Sequence, residues 1–221
     1  MYLRQVAPLL KFVTTVLVPL AIIMLGVRLL MTPLFLDIEY RMPGFPDDPY
    51  GFTITDRQQW SKPSVEYLVN GAGIDYLADL KFSDGQGIYN ERELSHMSDV
   101  KGVVQMLLKA WYVDLFVLLL IGLLSRHDGW WSDYLMAWKR GGWLTAGLLV
   151  ALGVFASTSF WEFFTWFHSL FFSGDSWLFE YSDTLIRLFP IRFWEDAVAY
   201  IGGFSLLVGL TLGFGLKPES K

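Results

Sequence analysis

The sequence contains no cysteine. That single absence excludes a disulfide framework, a thiol nucleophile and any cysteine metal site. Histidine is nearly as scarce, with three in 221 residues. Two or three scattered imidazoles make at most an incomplete zinc site, and no His-Glu-x-x-His run is present. There is no Gly-x-Ser-x-Gly elbow for a serine nucleophile and no phosphate-binding glycine loop. The basic residues do not gather with aromatics into a nucleic-acid surface. Internal repeats and low-complexity tracts are also missing. No metal, soluble cofactor or nucleic acid is expected.

What the chain has in excess is apolar and aromatic surface, 53% hydrophobic and 17% aromatic residues. Average globular chains reach about 45–50% apolar only when glycine is counted. Apolar runs long enough to cross a bilayer, about 18 residues or more, occur four times. They fall at 12–36, 103–124, 142–160 and 197–216. The first is too long for the core of a secretory leader and lacks a small-residue cleavage site after it, so it reads as a retained anchor. The expected division is therefore 1–36 (cytoplasmic N-terminus and first span), 37–102 (outer loop), 103–124 (second span), 125–141 (inner loop), 142–160 (third span), 161–196 (outer loop), 197–216 (fourth span) and 217–221 (cytoplasmic tail).

Charge placement orients the spans. With the N-terminus inside, the inner segments carry seven basic and three acidic side chains, and the two outer loops eight basic and eighteen acidic. The short 125–141 loop, with Arg126, Lys139 and Arg140, carries the clearest positive-inside signal. Trp130, Trp131, Trp138 and Trp143 flank the inner interface; Trp161, Trp166 and Trp194 flank the outer one, as aromatic belts do. The fold expected is an all-α membrane protein, a four-transmembrane-helix bundle with an exoplasmic cap formed by the first and third loops. Within that cap, turns are expected at Met42-Pro43-Gly44 and Ser83-Asp84-Gly85. A helix start is expected at Ser61-Lys62-Pro63, with its end near Gly71. Asn90 and Glu93 have the spacing of a capping box, so a helix starting there should run on into the second span.

Several polar residues call for explanation. Arg28 in the first span and Asp114 in the second are expensive at membrane depth; both fall in the outer half, where an ion pair between them is plausible. Lys109 can snorkel to the interface. Gly209 and Gly213 have a spacing that lets helices approach closely. His127 belongs to the basic inner loop. His96 precedes the second span and His168 follows the third, so the topology brings both to the outer side at similar depth. Histidine is the natural general base near neutral pH, although two interfacial histidines are more often structural than catalytic. Asp99 lies three residues after His96 and shares its helix face; it could orient the ring or belong to a solvated acidic face.

Two stretches sharpen this reading. One is Tyr89-Asn-Glu-Arg-Glu-Leu-Ser-His-Met-Ser-Asp-Val100. The other comprises Phe167-His-Ser-Leu-Phe-Phe172, Trp177-Leu-Phe179, Asp183-Thr-Leu-Ile-Arg-Leu-Phe-Pro190 and Phe193-Trp194. With four spans in this order, they resemble the bacterial integral-membrane family that includes the lipoprotein intramolecular transacylase, Lit. The resemblance in architecture covers nearly the whole chain, and the specific motifs cover the two outer segments. It implies an acyltransferase of the plasma membrane whose substrate is a diacylglyceryl-modified lipoprotein with a free N-terminal amine. The sn-2 acyl chain moves to that amine and leaves a lyso-form N-acylated lipoprotein. It implies two catalytic histidines, His96 and His168; Asp99, Arg28, Asp183 and Arg187 are candidate supporting residues beside them. It implies no cofactor, and membrane lipid as the surroundings. One imidazole would take the amine proton; the other, in its protonated form, would hold the oxyanion or protonate the leaving oxygen. A non-enzymatic membrane subunit with an outer partner-binding domain, and a membrane lipid hydrolase, are the competing readings. Nothing in the sequence fixes an oligomeric state.

Overall fold

The computed structural model describes residues 2–217, with side chains from Val6 onward. The expected inner-side charges Glu219 and Lys221 lie outside the described residues, and the side chain of Arg4 outside the described side chains. Nine helices and no strand occur among the described residues: α1 Tyr2–Leu30, α2 Pro33–Glu39, α3 Ile54–Val69, α4 Asp75–Ala78, α5 Glu91–His127, α6 Trp131–Thr158, α7 Phe160–Ser169, α8 Thr184–Leu188 and α9 Ile191–Gly215. Four helices are long and apolar enough to cross a membrane: α1 over Val6–Leu30, α5, α6 and α9. The protein is a multi-pass membrane protein. The chain divides into two compact units.

The first unit contains residues up to Val27, Leu108–Thr158 and Ala199 onward. Its helices pack through small residues. The backbone of Gly142 approaches that of Gly209 so closely that a Cβ on Gly142 would lie 2.5 Å from the Gly209 carbonyl oxygen. A Cβ on Gly141 would meet Val18, which is fully buried with Ala21, Ile22 and Leu118. Small residues replace hydrophobic burial as the organising device in a bilayer, because lipid tails are as apolar as leucine. Two buried polar tips bond backbone across helices: Trp111 Nε1–H to the Ala21 carbonyl at 3.1 Å and the Tyr134 hydroxyl to the Leu118 carbonyl at 2.8 Å. Phe116, Val154 and Leu207 are strongly exposed, as suits side chains that face lipid. Asp114, expected to meet Arg28, is buried with neither oxygen in a hydrogen bond.

The second unit contains Arg28–Leu107 and Ser159–Val198. The first apolar helix stops at Leu30, six residues before the expected end. Thr32 is extended and caps α2 by accepting from the Phe35 N–H, with Pro33 as the first helical residue; the residue before a proline disfavours the helical region. Arg28, in the last turn of α1, donates locally to the Met31 carbonyl at 3.2 Å. Helix α3 begins at Ile54, not at Ser61. A full capping box between Thr53 and Asp56 starts it seven residues earlier, and Pro63 sits inside the helix. The expected turns are present, with Gly44 and Gly85 at positive φ. The Asn90–Glu93 box starts α5 as its spacing suggested: Asn90 N–H donates to Glu93 at 2.8 Å and Glu93 N–H to Asn90 at 3.0 Å.

The core of this unit gathers Tyr67, Leu77, Ile88, Tyr89, Met97, Leu185 and Leu188, with a second cluster of Leu36, Tyr40 and Phe193. Polar side chains then lock the 37–102 and 161–196 segments together. Buried Glu93 also accepts from the Leu185 N–H at 2.6 Å, so one carboxylate caps two helices. Arg187 pairs with the buried Asp48 at 2.9 Å and lies 3.4 Å over the Phe52 ring. Burial works against the Asp48 carboxylate, but Arg187 outweighs it and holds the carboxyl below its ordinary range.

Glu39 is fully buried and neither of its oxygens meets a donor. Its carboxyl lies against Asp196, whose other partner is Arg192 at 2.6 Å. Burial first, and then the Asp196 carboxyl, push Glu39 up to about 7; Arg192 pulls the other way. Two carboxyls can share a hydrogen bond only while one holds a proton. The unfolded chain releases that proton near pH 4.5 and the folded chain near 7, so stability falls as pH rises between those values. In Glu39→Gln this slope should flatten, with a higher melting temperature than wild type at pH 8 and little difference at pH 4.5. An unchanged pH dependence of melting in detergent would contradict the shared proton.

Candidate active site

Two histidines from different segments come together in the second unit. His96 lies in the second turn of α5, seven residues before the apolar run begins at Val103. His168 lies in the last turn of α7. The Phe172 ring contacts both: its centroid is 5.1 Å from the His96 ring and 5.8 Å from the His168 ring. Helix α7 is short because Ser159 restarts the chain after α6, accepting from the Glu162 N–H as N-cap. This redirects the chain so that the aromatic run 160–172 folds beside the start of α5.

The surroundings fix the state of each imidazole. His168 Nδ1 is 2.8 Å from the Phe164 carbonyl. A carbonyl can only accept, so Nδ1 carries the hydrogen and Nε2 is left as the acceptor. The ring stacks on Trp177 at 4.7 Å. Burial pushes the His168 pKa down, against the Phe164 bond, which raises it. His96 packs between Phe172 and Phe179, and its Nδ1 is buried without a hydrogen bond. Burial first, and then the nearby His168, press His96 down to about 4; Asp99 acts in the opposite sense. Both rings are therefore neutral near pH 7.

Asp99 does not hydrogen-bond His96. It lines a groove of about 520 Å³ together with Ser98, Val103, Met106, Phe171 and Phe172. The other residues suggested as supporting are engaged elsewhere. Asp183 accepts from the Asn90 amide at 3.0 Å and from the Glu180 N–H at 2.9 Å; Arg187 holds Asp48 and Arg28 holds Met31. His127 lies thirty-one positions further along α5, exposed beside Asp128 at 2.8 Å. Among the described residues, no three His, Asp or Glu side chains gather as a metal-ligand set. Phe172, Trp177 and the Phe164 carbonyl had no assigned role in the sequence. Their only signal there was the density of aromatics around His168.

Residues 12–194 match the family described as lipoprotein intramolecular transacylase Lit. The chain belongs to the Lit family. A relative from Aquifex aeolicus (strain VF5), described as an uncharacterized protein, is 28% identical over 208 residues, covering 93% of this chain and 92% of the relative. The in meso structure of the membrane-integral lipoprotein intramolecular transacylase Lit from Bacillus cereus superposes with a TM-score of 0.79 at 21% identity, over 94% of this chain and 93% of that one. A variant of the same Bacillus cereus protein, substituted at one histidine, superposes at 0.67 with 18% identity, over 96% and 90% of the two chains. At these identities the structural likeness establishes the Lit fold, an all-helical membrane protein, and membership of the family makes the chain a lipoprotein transacylase in class.

Proposed function

We propose that this chain moves the sn-2 acyl chain of a diacylglyceryl-modified cysteine onto the α-amino group of that same cysteine, producing a lyso-form N-acylated lipoprotein. The observation that carries the reading is the pair of imidazoles on one phenylalanine ring, with His168 Nε2 held as an acceptor. The amine nitrogen attacks the ester carbonyl carbon, and its proton passes to His168 Nε2 as the N–C bond forms. The neutral His96 ring donates its N–H to the tetrahedral oxyanion. Collapse breaks the bond to the glyceryl oxygen, and His168 returns the same proton to that oxygen. Neither imidazole needs to start protonated. No acyl-enzyme forms, and no water is consumed. Both reacting groups sit on one residue, so positioning alone can supply up to roughly 7–11 kcal/mol of the barrier.

The second unit then faces the outer side as an exoplasmic cap, with both termini cytoplasmic. A reporter active only outside the membrane should work when fused at Gly85 or Gly174 and be silent at Gly129; activity at Gly129 would overturn this orientation. The reaction itself is an isomerisation, so an intact mass cannot detect it. Tandem mass spectra of lipoprotein N-termini, from cells with and without this chain, should relocate one acyl group from glycerol to nitrogen. Loss of one acyl mass would indicate a hydrolase. No change at all would indicate a non-enzymatic subunit.

A further inference from the structure

The substrate of the proposed reaction brings a charge to the reacting centre. Its α-amino group, with a pKa of about 7.7–8.0 in model compounds, is mostly an ammonium at neutral pH. Beside the two imidazoles the groove is graded. Ser98, Asp99, Ser173 and Ser176 form a polar part, and Val103, Met106, Phe171 and Phe172 an apolar part. Asp99 is its one carboxylate, and among the described residues it forms no ion pair. The basic side chains nearest in sequence are committed elsewhere: Arg92 to Asp175, and Lys101 to Asn70 and Ala72. Asp99 therefore presents an uncompensated negative charge one helical turn from His96, close enough to act on that ring.

We propose that Asp99 docks the α-ammonium of the lipid-modified cysteine and makes the site selective for a free N-terminus; this rests on the transacylase reading. With the ammonium at Asp99, an acyl chain can follow Val103, Met106 and Phe171 while the ester carbonyl lies toward Phe172 and the two imidazoles. The ammonium gives its extra proton to solvent before attack, and the charge that Asp99 faced is absent from the neutral amide. Asp99 therefore favours substrate over product, which assists release of the neutral N-acyl group.

The test uses a diether analogue of a diacylglyceryl-cysteine peptide, whose chains cannot be transferred, with its amine either free or acetylated. The purified full chain should bind the free amine about tenfold more tightly than the acetylated form, in line with a charge-assisted hydrogen bond. In Asp99→Asn the ratio should fall to near one, while Asp99→Glu should keep most of it. With a transferable substrate, Asp99→Asn should raise KM about tenfold and leave kcat within about twofold, a split that a purely structural loss does not produce. An unchanged binding ratio in Asp99→Asn, or no preference in wild type, overturns the proposal. If wild type prefers the free amine, loses that preference in Asp99→Asn, and yet makes no lyso-form product, the amine site stands and the transacylase reading fails.

Discussion

His168→Ala and His96→Ala should each lower transacylation by about 10²–10⁴-fold, the usual contribution of a positioned proton-transfer group. The two losses should not multiply in the double variant, because both rings serve one tetrahedral intermediate. His127→Ala should behave as wild type. The pH dependence adds an independent check. Burial depresses both imidazoles, so neither is protonated as pH falls from 8 to 7. The acidic limb of the wild-type rate should then follow the substrate amine, near 7.7–8.0, and not an ordinary histidine near 6.5. A limb centred on 6.5 would mean that a reacting imidazole titrates as an ordinary histidine and is not depressed by burial; normal rates in both single variants would remove the histidines from the mechanism. Melting curves in detergent separate these outcomes from misfolding.

Gly142→Ala should strongly destabilise the bundle, although alanine is the better helix former. The added Cβ would lie 2.5 Å from the Gly209 carbonyl oxygen and 2.9 Å from the Leu212 Cβ. Only a shift of whole helices can relieve contact with a backbone atom, and overpacking of this kind costs about 1–3 kcal/mol, occasionally more. Gly147→Ala, five residues along the same helix with nothing within 4 Å of the new Cβ, should be neutral or slightly stabilising, since alanine exceeds glycine by up to about 1 kcal/mol in helices. Thermal unfolding of the pair reads the contrast directly. Equal melting temperatures would mean that the α6–α9 contact is looser than the structure shows.

The parts of the molecule that were legible in the sequence were those set by local signals. Four apolar runs gave four long helices, and Asn90 with Glu93 gave the start of α5. Gly209 gave a close helix contact, although its partner, Gly142, carried no mark of its own. Local signals misled where two competed. Pro63 suited a helix start, but the reciprocal bonds of Thr53 and Asp56 satisfy more of the free N–H groups and start α3 earlier. The run through Leu36 looked continuous in hydropathy, but Thr32-Pro33 breaks it. Arg28 and Asp114 suggested each other through charge and shared depth, and neither encodes which way a helix face turns. The meeting of His96 and His168 was anticipated from depth. The features that set their chemistry, a carbonyl one turn back in α7 and a ring three residues past the end of α7, depend on how the 160–179 segment folds.

Helix α5 has one more implication for the lipid. Its 37 residues would extend about 55 Å at 1.5 Å per residue, against a hydrocarbon layer of about 30 Å. His96 precedes the apolar run by seven residues, roughly 10 Å of helix rise. On the proposed reading, the ester cannot react where lipids normally rest; the acyl chain must be drawn upward out of the bilayer. Each methylene that leaves the hydrocarbon for water costs about 0.8 kcal/mol. The apolar wall that Phe171 and Phe172 add beyond the run offsets that cost by giving the rising chain a dry surface. The site would then act as a hoist as well as a catalyst, and chain length would influence the rate through the methylenes that wall can cover.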